Sequence, residues 1–202
     1  NPLQILAGVS WARGNLEEAR HFWTELLTVG ENIRDQRAMA FGYNGLGLAA
    51  LCKGQTAEAR RSFEQSAAIF EHLGLAGPLA LARGNLVEIH HFSGNLRRGL
   101  ELAEKARQHA RETHNPPGVA RSLCYKALIL TDLERHDEAM ATAEEGLNLV
   151  LTQGDPSDEI FARVVRIRAC FALQETDRIL EDLEASQELV LHYDSEGFAP
   201  LL

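Results

Sequence analysis

Apolar positions along the chain recur with a helical period. Ala59, Phe63, Ala67 and Phe70 follow one another at spacings of 4, 4 and 3, the stripe that one face of an α-helix presents to a neighbour. Similar stripes run through 38–51, 57–73, 120–133 and 137–151. No stretch alternates apolar with polar residues as a half-buried strand does, and Val, Ile and Thr are scattered. The pattern predicts an all-α protein built of short antiparallel helices.

The helices come in pairs, and the pairs repeat. Gly14-Asn15-Leu16-Glu17-Glu18-Ala19-Arg20 returns 40 residues later as Gly54-Gln55-Thr56-Ala57-Glu58-Ala59-Arg60, and again as Gly94-Asn95-Leu96-Arg97-Arg98-Gly99-Leu100. The same step lands on Glu134-Arg135-His136-Asp137-Glu138-Ala139-Met140 and on Gln174-Glu175-Thr176-Asp177-Arg178-Ile179-Leu180. Gly14, Gly54 and Gly94 fall between the two helices of a pair, where a residue free to take positive φ turns the chain tightly. Between pairs stand Leu73-Gly74 with Pro78, Asn115-Pro116-Pro117 and Gly154-Asp155-Pro156, helix stops followed by residues that start a helix well. The expected units are about 1–36, 37–76, 77–116, 117–156 and 157–193, with 194–202 as a tail or cap.

These residues carry a resemblance. Tyr43, Leu46-Gly47, Ala50, Gly54, Ala59 and Phe63 keep the spacing of the tetratricopeptide repeat, and Leu3, Leu6-Ala7, Ser10, Gly14, Ala19 and Trp23 follow the same outline. Small residues at Ala7, Ala19, Gly47 and Ala59 let two helices approach, and Trp23, Tyr43 and Phe63 fill the space beside them. The match weakens along the chain. Lys126 and Arg166 stand where Leu is usual, and Ile167 and Ile179 occupy the two small positions of the fifth unit, which should splay that pair. The 40-residue period resembles the repeats of kinesin light chain and the sensor arrays of MalT-like bacterial regulators. The resemblance implies a right-handed α-α superhelical solenoid of about five helix pairs, with the first helix of each pair lining a concave groove.

Such a groove recognises a protein or peptide and does no chemistry of its own. The helical register places Asn44, Leu48, Asn85, Glu88, Arg121, Tyr125, Leu128 and Arg168 beside the core stripe of the first helices, as the expected ligand-binding groove. Asn and Arg offer several hydrogen-bond donors and Tyr adds area with a polar tip. A small-molecule effector pocket in the same groove, as in MalT-like sensors, is the alternative. The clamp with which some tetratricopeptide modules hold chaperone tails needs Lys and Asn where this chain has Ile5 and Gly8. Asn44 with Leu48 and Gly84 with Glu88 fail the same test, so chaperone-tail binding is not expected.

Composition narrows the picture further. The formal net charge is −9, which disfavours direct binding to nucleic acid. The first 100 residues carry 10 basic and 9 acidic side chains, the rest 10 and 20. Glu181, Asp182, Glu184 and Glu188 fall on a second helix, so the acidic half reads as solvated outer surface rather than as a docking face for a basic partner. Cys52, Cys124 and Cys170 are too few and too far apart for a disulfide framework, and each reads as a small packed residue in a reducing, cytoplasmic setting. No apolar run approaches the ~20 residues of a membrane span. Opening on Asn1-Pro2-Leu3, the chain reads as part of a larger protein.

Candidate chemistry is thin. His90 and His91 are adjacent and point about 100° apart on a helix, so they cannot hold one metal ion together. His109 and His114, five residues apart, fail likewise. Gly45-Leu46-Gly47 lacks the strand and Lys of a phosphate loop and suits close helix packing instead. Glu17-Glu18 and Asp137-Glu138 open second helices, where negative charge meets the positive helix end. No catalytic residue, metal site or cofactor is expected, and an enzyme is not expected. The apolar Phe198-Ala199-Pro200-Leu201-Leu202 reads as a cap or as the start of a further unit. Uncapped solenoid ends would invite self-association.

Overall fold

The computed structural model describes residues 1–153 and 156–195. They form ten α-helices: α1 (Pro2–Ala12), α2 (Leu16–Ile33), α3 (Gln36–Cys52), α4 (Thr56–His72), α5 (Ala76–Phe92), α6 (Leu96–Glu112), α7 (Pro116–Asp132), α8 (His136–Gln153), α9 (Pro156–Leu173) and α10 (Thr176–Ser195). No strand occurs among the described residues. The expected cap or tail at 194–202 lies, from residue 196 on, outside them. Two compact units divide the chain near residue 89.

The turns follow from the repeat. Gly14, Gly54 and Gly94 have φ of +74°, +71° and +70°. Where the repeat has lost its glycine, Glu134 and Gln174 adopt φ of 58° and 63° at the same step, so these turns keep their shape at a cost of ~1–2 kcal/mol per residue. Three odd-numbered helices, α1, α3 and α7, begin on side-chain caps. Asn1 accepts from the Leu3 amide at 3.0 Å, Asp35 from Ala38 at 3.0 Å and Asn115 from Gly118 at 3.2 Å.

In the first unit the helices close on one another where a ring meets a residue with no side chain. A methyl group added to Gly45 would lie 2.2 Å from the Trp23 ring, and one on Gly47 would lie 2.6 Å from the Phe63 ring. Ala7, Ala19 and Ala59 beside them are fully buried. Trp23 packs with Ala7, Ala19 and Ala49, while Phe63 packs with Ala50, Ala59 and Ile89. A third cluster joins Phe70 and Ala67 of α4 to Ala40, Leu79 and Ala82, so α5 sits on both α3 and α4. Gly45-Leu46-Gly47 therefore serves as a seat for aromatic rings, as its place inside a helix suggested.

The second unit packs with aliphatic residues. Ala120, Cys124, Ala127, Ala143, Leu147, Val150, Ala162 and Val165 form one cluster, and Leu130, Ala139, Met140, Ala169 and Cys170 another. Its last pair departs from this scheme. Asp182 of α10, read from sequence as solvated, has no solvent exposure at all. Arg163 reaches it at 2.8 Å and Arg166, standing at the repeat's Leu position, at 2.7 Å. A carboxylate can be buried here because two guanidinium groups accompany it, and Glu159 holds the far side of Arg163 at 2.7 Å. Glu181, Glu184 and Glu188 remain exposed, as expected.

The first and last helices, α1 and α10, expose positions that the other pairs bury. Val9 is 41% exposed, whereas Ala49, Ile89, Ile129 and Ala169 at the same step are 4% or less. Leu183 is 51% exposed, whereas Trp23, Phe63, Ala103 and Ala143 are 7% or less.

Two substitutions test this packing. Gly45→Ala forces a methyl into the Trp23 ring and is expected to cost about 1–3 kcal/mol, while Gly8→Ala, with open space around it, should stabilise α1 by about 0.5–1 kcal/mol. Thermal melts of both should move in opposite directions. Asp182→Ala strands two half-buried arginines and should cost about 3–5 kcal/mol, read from denaturant melts. A loss below about 1 kcal/mol, the ceiling for an exposed pair, would mean that the cluster is not buried in solution.

Candidate functional site

The odd-numbered helices share one side of each unit. In the first unit α1 touches α3, and in the second α7 touches α9. The side chains expected to line a groove lie on these helices, and the structure brings several of them together.

In the first unit the Asn85 amide donates to the Asn44 side-chain oxygen at 3.3 Å, bridging α5 and α3. Each amide spends one group on this bond. By the chemistry of the pair this bond uses neither NH2 hydrogen of Asn44, one of the two on Asn85, and not the Asn85 oxygen, enough for one donor–acceptor contact to a peptide unit. Leu48 is half-buried and packs against both the Trp23 and Phe63 clusters, so it supplies a wall rather than a projecting contact. Glu88 is half-buried on the last turns of α5. At the start of α3 the Arg37 guanidinium lies over the Phe41 ring, 5.8 Å from its centre.

In the second unit two parallel stripes face each other. Arg121, Tyr125, Leu128 and Asp132 follow at helical spacing on α7, and Asp158, Phe161 and Arg168 on α9. Arg121 is paired with Asp158, which is nearly buried. At the other end the polarity is reversed: Arg168 donates to Asp132 at 2.9 Å. Asp132 also holds the His91 ring at 2.5 Å. Between the two ion pairs the Tyr125 and Phe161 rings meet at 5.3 Å with a 55° tilt, and Leu128 and Phe161 rest on the aliphatic core. Asn44 with Asn85 and Arg121 with Tyr125 and Leu128 thus form two half-buried surfaces, one per unit.

Register alone found one partner of each pair and missed the other. Asp158 lies 37 residues after Arg121, and Asp132 lies 36 before Arg168 and 41 after His91. A search for aspartates about one repeat away from an arginine or histidine would have found all three. Phe161 was missed because it follows the Gly154-Asp155-Pro156 punctuation and looks like the start of a helix core.

The remaining reactive groups are quiet. Cys124 lies directly beneath the α7–α9 stripe. Burial pushes its thiol up to about 12, with the Asp158 carboxylate adding to the rise and Arg121 opposing it. Burial also raises the Cys170 thiol. Cys52, expected to be packed, is exposed at the end of α3. A hollow of about 510 Å³ lies on the even-helix side of the second unit, between α6, α7 and α8. It is floored by Leu100 and Leu130 and rimmed by Arg97, Glu101, Glu104, Lys126, Arg135 and Glu138. Lys126 enters it from the repeat's Leu position and reaches Glu104 at 3.3 Å. The Arg107 guanidinium, helped by the Lys126 charge, holds the Glu104 carboxyl below its ordinary range against the opposing effect of burial. Among the described residues no three His, Cys, Asp or Glu side chains are grouped to hold a metal ion, and no helix is long and apolar enough to cross a membrane.

A family model described as tetratricopeptide repeat matches residues 2–72 and 78–151. No curated protein matches the sequence. Among solved structures, the chain is similar to the nearly identical TPR-like repeats of a proposed kinesin light chain from Podosopora anserina, with 17% identity, a TM-score of 0.65, and 96% of this chain and 95% of that one covered. It is similar to a Rap protein complexed with competence and sporulation factor, at 11% identity and a TM-score of 0.80, over 95% of this chain and 54% of that one. It is also similar to a signal transduction ATPase with numerous domains and a tetratricopeptide repeat sensor from Pyrococcus horikoshii. That match has 17% identity and a TM-score of 0.70, over 98% of this chain and 30% of that one. These likenesses fix the fold as an all-α helical-repeat solenoid.

Thiol reactivity checks the placement of the stripe. In the native protein at pH 8 a thiol reagent should label Cys52 and spare Cys124, which should become reactive only on unfolding. Rapid native labelling of Cys124 would mean that α7 and α9 do not pack as described.

Proposed function

The chain belongs to the tetratricopeptide repeat family, and on that premise we propose that it is a binding scaffold whose odd-numbered helices take an extended segment of a partner protein or a free peptide. The observation that carries the reading is the Asn44–Asn85 pair. Two side-chain amides on successive odd helices, already oriented by one mutual bond, offer further donors and an acceptor to a peptide backbone. Main-chain recognition of that kind gives affinity without demanding a particular sequence, and neighbouring apolar walls such as Leu48 add selectivity. The Tyr125–Phe161 surface in the second unit offers the same combination of area and polar tip.

A place as the sensor part of a larger bacterial signalling or transcriptional regulator is the finer form of this reading. Its support is the likeness to a Rap protein complexed with competence and sporulation factor and to the sensor-bearing ATPase, of whose length this chain spans 54% and 30%. A small-molecule effector in the groove is less well supported, because the hollow of about 510 Å³ lies on the even-helix side and is rimmed by paired charges.

The test is direct. A fluorescent library of random decapeptides is titrated against the protein, and the binders are remeasured against Asn44→Ala with Asn85→Ala. Losing two backbone contacts should weaken binding about tenfold or more, with circular dichroism unchanged. Undiminished binding by the double variant would place recognition elsewhere.

A further inference from the structure

The cations of the second unit's odd helices are all engaged. Arg121 and Lys126 of α7, and Arg163, Arg166 and Arg168 of α9, each lie within ion-pair distance of a carboxylate of the same unit. Three of these sit at the even-helix side or inside the α9–α10 pair, with Glu104, Glu159 and Asp182 as partners. The other two, Arg121 and Arg168, bracket the apolar strip of Tyr125, Leu128 and Phe161, and each is neutralised by an aspartate from the facing helix. The bracket is antisymmetric: α7 contributes Arg then Asp, and α9 contributes Asp then Arg. From Arg121 to Asp132 the strip runs 11 residues, about 16 Å of helix, long enough for about five residues of extended chain laid alongside.

We propose that this strip is specific for an uncharged peptide segment carrying an aromatic or branched apolar side chain, and that Asp158 and Asp132 are the residues that exclude carboxylate-bearing ligands. The inference rests on the peptide-binding reading above and names the ligand class for the second unit's surface.

The physical reason is charge that is already compensated. A ligand carboxylate at Arg121 would either share the guanidinium with Asp158, which brings two carboxylates close together, or draw it away from Asp158, which is nearly buried. Neither returns what an arginine without a carboxylate beside it would. At the other end Arg168 is more exposed, but Asp132 is fixed by both Arg168 and His91. An incoming anion there meets a carboxylate at close range. An apolar or aromatic side chain meets no such obstacle: the half-buried Tyr125 and Phe161 rings and Leu128 offer it contact area. The two aspartates thus act as negative filters, rejecting a wrong ligand instead of holding the right one.

The test uses four amidated, N-acetylated decapeptides built around a central Phe or Leu and flanked either by Ser and Asn or by Glu. Binding to the full chain is followed by fluorescence anisotropy at low salt. The wild type should bind the uncharged peptides about tenfold more tightly than the Glu-bearing ones. Asp158→Asn, which keeps a hydrogen-bonding side chain but frees the Arg121 charge, should erase or invert that ratio. Asp132→Asn, at a more exposed pair, serves as a second variant should Asp158→Asn fold poorly by circular dichroism, and should shift the ratio the same way. A wild type that prefers the Glu-bearing peptides, or a ratio unmoved by a folded variant, would overturn the inference while leaving the peptide-binding reading standing. Failure of every probe to bind would overturn both.

Discussion

The array depends on how closely two helices can come before their side chains collide. In the first unit that distance is set by rings seated on glycines, Trp23 over Gly45 and Phe63 over Gly47, with Ala7, Ala19 and Ala59 alongside. Once a pair has closed, each helix still carries an apolar face that only a neighbouring pair can cover, so burial proceeds by stacking. Odd helices then lie against odd helices, and side chains about one repeat apart in sequence become neighbours in space. Asn44 meets Asn85, and Arg121 meets Asp158, for no reason other than this step.

The second unit reaches the same arrangement by other means. Its core is aliphatic and alanine-rich, and at its last pair the repeat's leucine has become Arg166, held against Asp182. A buried ion cluster contributes less net stability than a well-packed leucine would, because desolvation offsets much of the attraction. What it adds is a defined seating of α10, since the carboxylate is satisfied in one position only. The charge pattern of the unit thus belongs partly to its interior and not wholly to a solvated outer face.

Much of the fold was legible in the sequence because the repeat writes its own register. The step from Gly14 to Gly54 to Gly94 located the turns, and the same step located Glu134 and Gln174, which keep left-handed backbone without glycine. Small residues inside helices announced close contacts. What stayed hidden was pairing that depends on which helix faces which. Asp182 looked solvated because an acid on an outer helix usually is, and only the arginines of α9 show otherwise. Arg121 and Arg168 looked available to a ligand because their aspartates lie 37 and 36 residues away. Cys52 looked packed because a lone cysteine on a helix usually is, yet it stands exposed at the end of α3. Local patterns thus fixed elements and core, while the charge state of the candidate surfaces emerged only from stacking.

Recognition along the odd helices is the claim on which the functional account stands. The most direct measurement is nuclear magnetic resonance of the side-chain amides and backbone of the 15N-labelled protein during titration with a bound decapeptide. Shifts should concentrate at the Asn44 and Asn85 side-chain NH2 groups and at the backbone of α3, α5, α7 and α9. Shifts confined to α2, α4, α6 and α8, with those two amides unmoved, would contradict it.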